Sequence, residues 1–174
     1  AAVLEILEEA YREIGQKFGH FPSKTIVVVL HAKSSFQSAT GSPIWADGLF
    51  DPTLGHIQVP AQDALADRAW LRRVLRHEFV HALLHDHLGP GGSAIPTWLN
   101  EGLAQYLSGD SSRSFLPLAK QAIAQKRFPE LSHLEGPFIG MEADRAAWAY
   151  QESLLATEFL IKSYGLGDVQ KLLE

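Results

Sequence analysis

Two histidines four residues apart, with a glutamate directly after the first, restrict this chain more than any other feature. His77-Glu78-Phe79-Val80-His81 has the pattern H-E-x-x-H. Its imidazoles reach one point in space only if the segment is a helix, where residues i and i+4 lie one turn apart on the same face. Glu78 then sits one position round the helix, close enough to touch water on a bound ion without ligating the ion. Arg72 and Arg76 project away from the histidines, so another side of the helix meets solvent or a partner element. The pattern therefore predicts a metal-binding helix, with an ordinary helix carrying two surface histidines as the bland alternative.

Two histidines hold a metal weakly, and catalytic zinc keeps three protein ligands and one open position. The chain has no Cys, so zinc must be bound through imidazole nitrogen and carboxylate oxygen. Glu101 is the only charged residue in a mostly apolar run from Ile95 to Leu107. A lone carboxylate among apolar neighbours needs a partner, and a zinc ion shared with His77 and His81 supplies one.

The surrounding pattern predicts an α+β domain. Val3, Leu7, Ala10, Ile14 and Phe18 recur at helical spacing up to Gly19. Thr25 to Leu30 is β-branched and apolar, and reads as a strand buried on both faces. A short helix and loop are expected from Lys33 to Pro43. A hairpin follows, with strands Ala46 to Phe50 and His56 to Val59 around a turn at residues 51–55. Helices are expected from Asp67 to His87, from Pro96 or Thr97 to Leu107, from Phe115 to Lys126 and from Ala143 to Tyr164, with a loop at residues 89–93. Strands come early and helices dominate afterwards.

The order of motifs resembles the gluzincin class of metallopeptidases. Pro96-Thr97-Trp98-Leu99-Asn100-Glu101-Gly102-Leu103-Ala104-Gln105-Tyr106 is similar to the peptidase-MA-like domains of bacterial proteins, often found beside tetratricopeptide repeats. Trp45-Ala46-Asp47-Gly48-Leu49-Phe50-Asp51 and Ala149-Tyr150-Gln151-Glu152-Ser153 also resemble that family. The resemblance implies a zincin-like, thermolysin-like catalytic domain with a small mixed sheet. It implies His77, His81 and Glu101 as zinc ligands, and Glu78 as the base for water that zinc activates against a peptide bond. In gluzincins a distant Tyr or His often stabilises the oxyanion, and Tyr150 is the candidate here, the alternative being a tyrosine packed in the core. Gln105 departs from the Asp that often follows the ligand glutamate by four residues, and a neutral amide there would hydrogen-bond a ligand imidazole more weakly.

Other readings stay open. Metzincins use H-E-x-x-H-x-x-G-x-x-H, and His87 stands at the last position, but Leu84 occupies the place of the helix-breaking Gly. His85 and His87 are instead expected to cap the helix C-terminus. A zinc-binding pseudoenzyme or interaction domain is the alternative function, although zinc binding alone does not require Glu78. Substrate is expected to be a peptide or protein bound as an added strand along Gly55 to Val59, unless that strand is covered.

The 174 residues suit one catalytic domain, 1–174, 46% hydrophobic and with a net charge of -5. That balance leaves no basic footprint for nucleic acid. No run approaches the roughly 18 apolar residues of a membrane span. The opening Ala1-Ala2-Val3-Leu4-Glu5 has neither a signal-peptide pattern nor an initiator Met. The expectation is a domain excised from a longer chain, with repeat domains as neighbours. The family resemblance favours a periplasmic or secreted location.

Overall fold

The computed structural model describes residues 2–61, 67–89 and 95–173. The expected loop at residues 90–93 lies outside them. The chain forms two compact units, Ala1–Gly92 and Ser93–Glu174. The architecture is α+β, mostly helical with one small mixed sheet, as the sequence predicts.

In the first unit, α1 (Ala2–Phe18) lies beside α3 (Arg68–Leu88). Ile6, Ala10, Ile14 and Phe18 supply the buried stripe of α1, and Leu71, Leu75, Phe79 and Leu83 are buried on α3. Arg68 pairs with Glu5, Arg72 with Glu9 and Arg76 with Glu13. Each pair advances by one turn on both helices, so α1 and α3 run parallel. The partner of the arginine face is thus α1. Asp67 caps α3 by accepting hydrogen bonds from the backbone N–H groups of Ala69 and Trp70, satisfying donors that the first turn leaves free.

The sheet contains β1 (Val27–His31), β2 (Leu49–Asp51) and β3 (His56–Pro60), in the order β1-β3-β2. Between β1 and β2 runs α2 (Lys33–Thr40). Strand β1 is parallel to β3, with Val27 opposite His56, and β2 is antiparallel to β3, with Asp51 opposite His56. The Asp51 carboxylate accepts from the N–H groups of Thr53 and Leu54, which closes the hairpin turn.

Two expectations are corrected here. Strand β1 is not buried on both faces, because Val27 and Leu30 are 42% and 46% exposed. It ends the sheet, and an apolar run cannot reveal that its strand has a neighbour on one side only. Gly55 to Val59 is not an edge, because β3 pairs with β1 on one side and β2 on the other. The central position explains why Ile57 and Val59 are completely buried.

The second unit is helical. It contains α4 (Thr97–Ser108), α5 (Leu116–Ala124), α6 (Ala143–Tyr164) and α7 (Leu166–Lys171), with single 3-10 turns at Ser112–Ser114, Leu131–Leu134 and Phe138–Gly140. Helices α4 and α6 pack through small residues. A Cβ on Gly102 would lie 2.0 Å from Thr157 Oγ1 and 2.5 Å from the Ser153 carbonyl oxygen. Only a glycine permits that approach. Thr157, Ser153 and Ala149 recur every four residues on α6, all fully buried, and Ser153 returns its hydroxyl to the Ala149 carbonyl at 2.7 Å.

Candidate metal centre and catalytic residues

Helix α3 brings the two histidines together as their spacing requires. Nε2 of His77 and Nε2 of His81 are 3.2 Å apart, and their rings meet nearly edge to face. Two nitrogens held by one tetrahedral zinc at about 2.05 Å would stand about 3.3 Å apart. The observed spacing is compatible with a shared divalent ion. Both side chains remain half-exposed.

Glu78 is 7% exposed, whereas the flanking His77 is not buried. It shares its face of α3 with Val74, one turn earlier, and both lie against the segment that leads into β2. Asp47 fixes that segment by accepting from Arg73 of α3 at 2.8 Å. The Trp45-to-Asp51 motif thus places the start of β2 directly against the candidate base.

His87 does not join His77 and His81. Helix α3 continues unbroken to Leu88, as Leu84 in place of glycine predicts. The His87 ring packs on Phe18 and His20, with centroids at 5.3 and 4.8 Å. His20 in turn bonds Asp86 at 2.9 Å, and Ser23 donates to the same carboxylate through its N–H and its hydroxyl. Those bonds hold the Asp86 carboxyl below its usual range against the opposing effect of burial, which is the largest single influence on it. His85 and His87 do lie in the last turn of α3, where a positive charge is favourable.

In the second unit, Glu101 stands on α4 and Tyr150 on α6, and one side chain links them. Gln105 is buried and donates its amide N–H groups to the carbonyl oxygens of Glu101, at 3.1 Å, and Tyr150, at 2.8 Å. Its donors are committed to backbone oxygens, so it works as a latch between helices. Glu101 is half-buried rather than enclosed, because its helix buries the face of Leu99, Leu103 and Leu107 more completely. The Tyr150 ring packs edge-on against Phe138 at 5.5 Å.

A further acid escaped the sequence reading. Glu152 is 1% exposed, and among the described residues neither carboxylate oxygen has a hydrogen-bond partner of normal geometry, nor does the indole N–H of Trp148 one turn before it. Burial raises its pKa above the ordinary glutamate value, with Trp148, Arg145 and His133 pulling more weakly the other way. Its place between Ala149 and Ser153-Leu154, on the buried side of an amphipathic helix, is the signal that could have exposed it.

In a mostly helical α+β chain, paired imidazoles on one helix with a buried glutamate beside them are compatible with a metal site. The chain belongs to the peptidase MA superfamily, whose sequence model matches residues 16–174. Neither a curated protein nor a solved structure matches it.

Proposed function

We propose that this protein is a zinc-dependent metallopeptidase of gluzincin type with a zincin-like catalytic fold. His77, His81 and Glu101 each offer one donor atom to the ion. The observation that carries the reading is the 3.2 Å approach of the two imidazole nitrogens beside a buried Glu78, in a chain whose superfamily match spans the first and second units. Two imidazoles and one carboxylate are a hard-to-borderline donor set that suits zinc and leaves a fourth position open.

When bound, zinc supplies Lewis acidity, polarising the scissile carbonyl and acidifying water. Glu78 takes a proton from the attacking water as its oxygen bonds to the carbonyl carbon. The same carboxyl then delivers that proton to the amide nitrogen as the carbon–nitrogen bond breaks. The hydroxyl of Tyr150 donates to the oxygen that becomes negative. A peptide substrate runs extended along β2, the strand at the sheet end that lies against Glu78.

Elemental analysis and peptide hydrolysis test this directly. The purified chain should hold about one zinc, which Glu101→Ala releases and His87→Ala does not. Glu78→Gln should keep the metal and lose at least about 10²-fold in kcat. A metal-free chain that cannot be reloaded, or a Glu78→Gln variant with normal turnover, refutes the reading.

A further inference from the structure

Gly48 lies immediately before β2, between two fixed points. Asp47 is paired with Arg73, and Leu49 is in register with Gln58 of β3. Its backbone is not among the positive-φ positions, so a larger residue could adopt its conformation. Space is what forbids one. A Cβ on Gly48 would lie 2.7 Å from Val74 Cγ1, 3.2 Å from Glu78 Oε1 and 3.3 Å from Glu78 Cγ.

We propose that Gly48 is a positioning residue for Glu78, its bare backbone forming the wall that sets where the carboxylate stands. The proposal rests on the peptidase reading for its catalytic consequence, but not for its geometry. A glutamate side chain has several rotatable bonds, and a base must be held within about 0.5 Å of its working position. A Cβ at position 48 would reach both Cγ and Oε1 of Glu78, so the bare glycine is what leaves the carboxylate this place. Because the ion pair and the strand ladder hold Gly48 on either side, the wall cannot retreat. Any side chain added there is accommodated by moving Glu78 or Val74. This gives the glycine of the Ala46-Asp47-Gly48-Leu49 segment a role that is separate from turn formation.

The two clashes can be separated. Val74→Ala removes the atom nearest the new Cβ and leaves both Glu78 contacts in place. Gly48→Ala should lower both melting temperature and kcat. The double variant Gly48→Ala/Val74→Ala should regain the melting temperature of Val74→Ala alone. Its kcat should stay about tenfold below that of Val74→Ala, with KM and zinc content unchanged. Recovery of kcat together with stability overturns the proposal, since it would make Gly48 a packing residue only. Crystal structures of Val74→Ala and the double variant, as purified, decide the geometry whatever the activity. The Glu78 carboxylate should be displaced by a few tenths of an ångström, and an unmoved carboxylate overturns the proposal. Displacement in a protein that cleaves no peptide would uphold the Gly48 inference while removing the peptidase reading.

Discussion

Replacing Gly102 with alanine should damage the second unit and the proposed ligand set together. The new Cβ would meet the Ser153 carbonyl oxygen at 2.5 Å and Thr157 Oγ1 at 2.0 Å. Ordinary contact is about 3.4 Å, so the backbone of α6 must retreat by about 0.9 Å. Thr157 offers no escape, because it is completely buried and its β-branched side chain has few alternative rotamers. Overpacking of this kind costs about 1–3 kcal/mol, and the rigid carbonyl places this case at about 3. For a chain of this size that corresponds to a fall in Tm of about 6–12 °C. Separation of α4 from α6 also strains the Gln105 bonds to Glu101 and Tyr150, now 3.1 and 2.8 Å. Zinc affinity should therefore fall with stability. Thermal unfolding followed by circular dichroism measures the first effect, and competition with a chelator measures the second. Adding Thr157→Ala should recover only part of the loss, because the Ser153 carbonyl remains in place. A Gly102→Ala chain melting within about 2 °C of the parent refutes the steric reasoning.

Glu152→Gln should remove a pH-dependent weakness. The folded-state pKa of Glu152 is raised, so the native chain keeps a proton that the unfolded chain has already lost. Stability from this group is complete below the unfolded glutamate value, and disappears as pH rises through the raised folded value. The Tm difference between variant and parent, measured from about pH 4 to 8, should move in favour of the variant as pH rises. Movement in the opposite direction sinks the assignment. The α1–α3 ion pairs make a separate prediction: Glu5→Lys/Glu9→Lys/Glu13→Lys should lower Tm by several degrees in dilute buffer. Because the pairs are largely exposed, about 0.5 M salt should restore most of that loss. A salt-independent deficit would mean that the loss comes from packing.

Elements whose cause is local were legible in the sequence. The span of α3 follows from the Asp67 cap and its apolar period, and the convergence of His77 on His81 follows from helical geometry alone. Leu84 predicted an unbroken helix, and His87 lies in its last turn, away from His77 and His81. The Asp51 turn is likewise written in residues three apart. What depended on partners distant in sequence was decided by tertiary structure. A strand's alternation reports its faces, never its neighbours, so the central place of β3 and the outer place of β1 could not be read. Gln105 advertised a free amide, but which oxygens it reaches depends on α6, about 45 residues away. Gly48 and Gly102 each appeared as one glycine among fourteen. Their meaning lies in atoms of Glu78, Ser153 and Thr157 that only the packed chain brings within 4 Å. A side chain states what chemistry it can perform, whereas the distance at which it performs that chemistry belongs to the fold, because close packing is set by every neighbour at once.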